Sequence, residues 1–399
     1  MEKLRIYLFI ATFVFAIFSS VIVFQTAGRF NSDKSLSLLA GQFAKGHISL
    51  EPTDELPLGD LAFYDGRYYM YFGPLASIIL IPFVIIFGTN FPQTAIGVGS
   101  MAISFYAVFK ISRSFKFSKI DSLWLCLFFV FSTVLFSSSA INITAYLVEA
   151  LGVPLMLLSL AEYFNKKRPI LIGLFLGLAV LTRLTLILAV LFFVIEFLQK
   201  RLTRREFIII LIPVGLCCFL FGAYNYIRFD SFIETGYNLL RNVSFPLSKN
   251  YEHGAVSLIH IPANLYSFLI MPPDPILYFD KGFVFKFPYF QANPWGMAIW
   301  FTSPLFLLLF RFKRGAHTLA AAVASVAVAI PLFTYFSVGF AQFGYRYALD
   351  FLPFLFLILM PILKPKLSRS AIFLIILGVV FNCIYITSPW GVYPLLGIN

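Results

Sequence analysis

Asp33 opens a polar stretch, RFNSDKSLSLLAGQFAKGHISLEPTDELPLGDLAFYDGRYYMYFG (29–73), between an apolar run at 6–24 and another beginning at Pro74. Ionisable groups at such a boundary are functional candidates, and a positioned carboxylate there can take a proton from an attacking hydroxyl. The competing structural role is capping of a helix that starts at Lys34, since Asp is a preferred N-cap. Three more charges lie in or beside apolar runs: Glu149 in AYLVEALGVPL, Arg183 in GLAVLTRLT and Arg346 in YRYALDFLPFL. An arginine so placed can hold a phosphate, with Tyr345 and Tyr347 as hydrogen-bonding walls around Arg346. Structural roles compete here too. Arg183 can snorkel to an interface, and Arg346 can pair with Asp350 one helical turn on. Glu149 needs a partner or a cavity. Glu196 needs neither, because Lys200 stands one turn away and can pair with it.

The elements that must position these residues follow from composition. Of 399 residues, 60% are hydrophobic, 19% aromatic and only 12% charged. Mean hydropathy is +0.88. No soluble domain of this size hides that much apolar surface, so the fold class is an all-α polytopic integral membrane protein. The net charge of +12 does not point to nucleic acid, because the positives sit in short clusters between apolar runs. Cys126, Cys217, Cys218 and Cys383 all lie inside apolar runs without metal spacing, so neither a disulfide framework nor a zinc site is expected. MEKLR precedes an apolar run longer than a signal-peptide core, which predicts a retained first helix.

The apolar segments are 6–27, 74–88, 92–109, 122–140, 143–161, 169–182, 184–198, 206–227, 297–310, 316–338, 346–363 and 370–387. They predict about 11–13 transmembrane helices in a single domain, 1–399, some of them shorter than the roughly 20 residues of a perpendicular span. Basic clusters fall at Lys3/Arg5, 110–119, 166–168, 200–205, 311–314 and 364–369. Placing all of them inside puts the N-terminus in the cytoplasm and the loops 28–73 and 228–297, with the C-terminal tail, outside a plasma (inner) membrane. Two crossings between 74 and 109 would put 110–119 on the wrong face. One of those two pieces is therefore expected to be re-entrant or interfacial. The hairpin 169–198 begins and ends at basic clusters, so its tip carries Arg183 outward. Glu149 sits about a turn below another outward tip.

The second loop opens YNYIRFDSFIETGY and contains His253, His260 and the proline-rich IMPPDPILYF. Acids and bases balance there, and no third ligand at metal spacing accompanies the two histidines. Its prolines and aromatics read as an irregular lid lying on the membrane. Arg228 and His253 are its candidate substrate-contacting residues, and Arg67 in the aromatic run YDGRYYMYFGP is a further candidate for the phosphate.

Taken together, these segments resemble the GT-C fold glycosyltransferases that use a polyprenyl-phosphate-linked sugar, among them the protein O-mannosyltransferases and the aminoarabinose transferase that modifies lipid A. In that family the first outer loop starts with an Asp-Glu pair and ends in an aromatic-Pro stretch. SDKSLSLLAGQFAKG and RYYMYFGPL occupy those places here, which matches Asp33 to the family's essential aspartate, with Lys34 where the pair has Glu. AYLVEALGVPL resembles the second acidic site and carries it onto Glu149, with Glu in place of the usual Asp. GLAVLTRLT carries a basic residue onto Arg183, and YRYALDFLPFL carries the R-Y-x-L-x-x-x-P-x-L element onto Arg346 and Tyr347. A lysine that some members place just before the loop's proline is absent, Phe72 and Gly73 standing there. The soluble C-terminal domain of larger members is not expected.

The resemblance implies inverting transfer of a sugar from a polyprenyl-phosphate donor to an acceptor hydroxyl at the extracytoplasmic face. Asp33 would serve as base, Glu149 as supporting acid, and Arg183, Arg346, Tyr347 and Arg67 as phosphate ligands. It implies no required cofactor or metal, and as partners membrane lipid, the lipid-linked donor and a glycan, lipid or protein acceptor. Two other readings remain open at this point: a lipid-linked saccharide flippase or transporter, and a polysaccharide ligase or polymerase.

Overall fold

The computed structural model describes residues 2–30, 33–51, 61–241, 243, 245–278, 282–364 and 366–387. The first apolar run lies in α1 (Glu2–Phe30), and the loop behind it forms α2 (Ser35–Ala44) and an antiparallel hairpin, β1 (Leu61–Tyr64) and β2 (Arg67–Met70). Asp65 and Gly66 make its two-residue turn at φ 44° and 74°, the left-handed pair that matches strand twist. Next come α3 (Leu75–Phe87), α4 (Ala95–Ser114), α5 (Lys119–Phe131) and α6 (Val134–Ala140). The run 122–140 is thus broken at Ser132–Thr133 and bent by 54°. The side chain of Thr133 caps the second piece by accepting from Leu135 N.

α7 (Thr144–Phe164) is followed by the hairpin of α8 (Pro169–Val180), a 3-10 stretch (Leu184–Ala189) and α9 (Val190–Leu198). α10 (Arg204–Phe229) starts with a capping box between Thr203 and Glu206. Gly173 and Gly177, four apart on α8, let α10 approach closely: a Cβ at Gly173 would lie 2.1 Å from the Ile210 carbonyl oxygen. The second loop contains α11 (Leu247–Tyr251), α12 (Ile261–Leu269) and the hairpin of β3 (Asp274–Tyr278) and β4 (Val284–Gln291). The rest of the bundle is α13 (Ile299–Thr302), a 3-10 stretch (Pro304–Arg311), α14 (Thr318–Phe333), a second 3-10 stretch (Arg346–Asp350), α15 (Leu352–Leu363) and α16 (Arg369–Thr387).

The protein is a multi-pass membrane protein. Among the described residues five helices are long and apolar enough to cross a membrane, or six with the bent α5–α6 pair, and shorter apolar helices of 10–17 residues pack among them. The basic clusters meet at one end. Arg5 pairs with Asp121, the Asn165 side chain reaches Lys110 O, Lys167 donates to Arg201 O, and Lys364 lies over the Phe115 ring. α7 runs from this end to the opposite one, about 30 Å at 1.5 Å per residue.

The piece that fails to cross is 74–88. α3 starts where Gly73 N donates to Thr182 O, beside the hairpin tip that carries Arg183. It ends near Asn90, which accepts from Lys34, and Gln93, which accepts from Leu36 N. Both ends of α3 therefore lie at the end away from the basic clusters, and α4 alone makes the traverse to 110–119. The outward tail at 388–399, and Asp54, Glu55 and Asp60 of the first loop, lie outside the described residues.

Candidate functional site

Glu149, Arg183 and Arg346, separated by up to 197 positions in sequence, converge at the end opposite the basic clusters. Glu149 projects from the second turn of α7, Arg183 from the break between α8 and the following 3-10 stretch, and Arg346 from the start of the 3-10 stretch that leads into α15. Arg346 Nε lies 3.0 Å from Glu149 Oε2. Arg183 Nη1 lies 3.3 Å from Glu149 Oε1 and 3.3 Å from Asp350 Oδ1. Thr185 Oγ1 donates to the other Asp350 oxygen at 2.8 Å. Cation and anion thus alternate in the order Arg346, Glu149, Arg183, Asp350. Glu149 is 1% and Asp350 2% exposed. Buried carboxylates on this scale require such partners.

Asp350 is the residue that spacing assigned to the wrong arginine. The segment from Arg346 is a 3-10 turn rather than an α-helix, so residues four apart do not share a face. Asp350 turns to Arg183, and Arg346 turns to Glu149. Glu196 shows the same kind of departure. α9 ends at Leu198 and Lys200 takes φ 57°, so no further turn brings Lys200 beside it. Glu196 instead accepts from Tyr163 and pairs with Arg201 and His317 at the basic end.

Glu149, Arg183 and Arg346 of this row line a cavity of about 320 Å³. Aromatic side chains form about half of the remaining wall. Tyr71, Tyr237, Tyr335 and Tyr347 follow one another at ring-centroid distances of 4.6, 5.5 and 5.8 Å. The Arg346 guanidinium sits 4.3 Å over Tyr146 and 4.8 Å over Tyr347, and Nη2 donates to the Tyr347 hydroxyl at 3.2 Å. Burial pushes the Tyr237 phenol up to about 12, against the lowering influence of Arg183, so the hydroxyl stays a neutral donor. A second cavity of about 380 Å³ adjoins the first, sharing Arg183, Tyr237 and Tyr335, with Leu184, Ile187, Leu188 and Leu332 among its apolar walls. Arg183 Nε is buried and has no hydrogen-bond partner among the described residues.

Gly73 holds the aromatic end of the first loop against the tip that bears Arg183. A Cβ there would fall 2.0 Å from the Leu181 carbonyl oxygen and 2.9 Å from that of Thr182. Backbone cannot yield as a flexible side chain can. Gly73→Ala is therefore expected to lower stability by about 1–3 kcal/mol, as overpacking does. Thermal denaturation in detergent measures it, and an unchanged midpoint would mean that the segment relaxes without cost.

Asp33 is buried behind the cavity wall. Its Oδ1 accepts from Ser35 N at 3.0 Å, Ser35 Oγ at 2.7 Å and Thr144 Oγ1 at 3.1 Å, and its Oδ2 accepts from Thr144 N at 2.7 Å. Ser35 and Thr144 are the first residues of α2 and α7, and neither helix has a side-chain cap of its own. One carboxylate therefore serves two helix N-termini, where negative charge is favoured. Helix α2 begins at Ser35 rather than Lys34. Ile143 and Ala145, on either side of Thr144, line the cavity.

The other candidates stand apart from the cavity. Arg228 is buried, donates to Met70 O and to Asn225 Oδ1, and lies 3.9 Å over Tyr224, which fastens α10 to β2. Arg67 is exposed at the start of β2, and His253 is exposed beyond α11. Tyr146, Tyr237 and Asp350 belong to the site without having been singled out for it in the sequence.

No protein-family model matches the chain, and no curated protein matches it in sequence. Two solved structures share its fold, the crystal structures of ArnT from Cupriavidus metallidurans bound to undecaprenyl phosphate and in the apo state. Each superposes at a TM-score of 0.51, with 15% and 14% identity over 90% and 92% of this chain. The chain spans about 60% of the length of those proteins. The chain has the polytopic membrane fold of these structures.

Proposed function

We propose that the protein transfers a sugar from a polyprenyl-phosphate donor to an acceptor hydroxyl at the extracytoplasmic membrane face, with inversion. The observation that carries this reading is the Arg346–Glu149–Arg183–Asp350 row on an aromatic cavity, in the fold of a protein crystallised with undecaprenyl phosphate. Two arginines balanced by two carboxylates leave the row without net charge, and Arg183 Nε, without a partner among the described residues, is a donor for a phosphate oxygen. The apolar second cavity beside Arg183 suits the first isoprene units, and the tyrosine-walled cavity suits a sugar ring.

In the proposed step the acceptor oxygen bonds to the anomeric carbon as the bond from that carbon to the phosphate oxygen breaks. The acceptor proton passes to Asp33, and the phosphate leaves on its lipid with charge that Arg183 and Arg346 stabilise. For Asp33 to act so, the acceptor hydroxyl must replace Ser35 Oγ or Thr144 Oγ1 as a donor to Oδ1. Glu149 holds the two arginines apart and in place. Mass spectrometry of membrane glycolipids and glycoproteins from cells with and without the protein tests the reading. Loss of one sugar-bearing species supports it, and identical profiles in both fractions would overturn it.

Orientation follows from the basic end lying in the cytoplasm. Reporters fused after Lys45 or Lys249 should read as external and one after Arg204 as internal. A cytoplasmic Lys249 fusion would remove the shared outer site.

A further inference from the structure

The β3–β4 hairpin is the part of the second loop that the site leaves unused. None of its described residues lines either cavity beside Arg183. It is not irregular, as the prolines suggested, but a two-stranded ribbon whose register jumps between Pro275 and Leu277, throwing the segment around Phe287 outward. On β4 and the turn before it, Phe283 is 82%, Phe285 44%, Phe287 70% and Tyr289 50% exposed. Successive strand residues point to opposite faces. Val284 and Phe285, adjacent before the register jump and 47% and 44% exposed, therefore make both faces apolar there, and Phe287, Tyr289 and Phe290 beyond it are exposed as well, which an alternating water-facing ribbon is not.

We propose that this hairpin embeds in the interfacial layer of the outer leaflet and anchors the second loop to the bilayer. A protein partner would cover one face, whereas lipid bathes both. Tyrosine favours the membrane–water boundary, as Tyr289 would there, and phenylalanine suits the apolar side of an interfacial segment. Beyond Asp274 at its foot, Lys286 is the only charged side chain on the two strands, and its ammonium lies 5.7 Å over the Tyr278 ring, a stem that can snorkel to the headgroups. The foot, where Asn293 donates to Asp274, is polar, and Asp280 and Lys281 of the turn lie outside the described residues. The apolar surface also continues into the bundle. Ala298 N bonds Met271 O across the foot, Trp300 donates to Leu269 O and lies tilted 5.1 Å from the Phe310 ring, and Phe310 is itself exposed.

Spin labels at Phe283→Cys and, separately, Phe287→Cys test this in the full chain reconstituted in phospholipid nanodiscs. The background carries Cys218→Ser, the other three cysteines being buried. Both labels should be more accessible to oxygen than to a water-soluble nickel chelate, and a label at the exposed Lys249 should show the reverse. Because both sites are exposed, the substitutions leave the core intact, and either one alone suffices if the other fails to express. Greater chelate access at both positions would overturn the proposal. So would dipolar broadening that disappears on dilution with unlabelled protein, since the hairpin would then lie against a second copy of the chain.

Discussion

Purified Asp33→Asn protein is expected to transfer sugar roughly 10²–10⁴-fold more slowly than wild type, the worth of general-base help. The structure gives that substitution a competing consequence. Asp33 joins the starts of α2 and α7 through Ser35 N and Thr144 N, one on each carboxylate oxygen. Asparagine caps a helix about as well as aspartate, but it has a single acceptor oxygen and must turn its amide group toward one of those N–H donors. The clamp alone thus predicts a modest stability loss, about 1–2 kcal/mol, with little change in rate for the folded fraction. A control separates the two. Ser35→Ala with Thr144→Ala removes the hydroxyl donors and keeps both the carboxylate and the backbone donors, so it should retain activity within about tenfold. If folded Asp33→Asn protein works at the wild-type rate, the residue is a clamp and nothing more.

The convergence of Glu149, Arg183 and Arg346 was legible because each lies near a helix end away from the basic clusters, and helix ends on one side of a bundle are already confined to a thin layer. Which arginine takes which carboxylate was not. That choice depends on a 3-10 turn at Arg346 and on contacts across 167 and 197 residues, to which local spacing is blind. The same limit explains α3. A thirteen-residue helix, apolar but for Ser77, reads the same whether it crosses, re-enters or lies flat, and only the hydrogen bonds of Gly73 and Gln93 fix both ends at one face. The β1–β2 hairpin had a signal that went unread, the Asp65–Gly66 pair between LAFY and RYYM. The Glu196 cluster offered only the nearby Arg201, because its other partners, Tyr163 and His317, come from α7 and the start of α14.

Arg346→Ala should weaken binding of a polyprenyl phosphate at least tenfold, in line with about 1.5–3 kcal/mol for a hydrogen bond to a charged group. It is the cleaner of the two arginine tests. Removing Arg346 leaves Glu149 paired with Arg183, so the charged row shortens without stranding a carboxylate. Removing Arg183 leaves Asp350 buried with Thr185 as its remaining hydrogen-bond donor in the row, and breaking a buried pair in that way costs about 3–5 kcal/mol of stability. Arg183→Ala should therefore lose both donor binding and yield. Arg183→Lys keeps a cation near Glu149 and Asp350 but surrenders the Nε donor, so it should recover yield without recovering full binding. Affinity for undecaprenyl phosphate, measured on folded protein alongside its thermal midpoint, reads both quantities. Wild-type affinity in Arg346→Ala and in Arg183→Lys would mean that the row only holds α7, the hairpin tip and the 3-10 turn together, and that the phosphate is bound elsewhere.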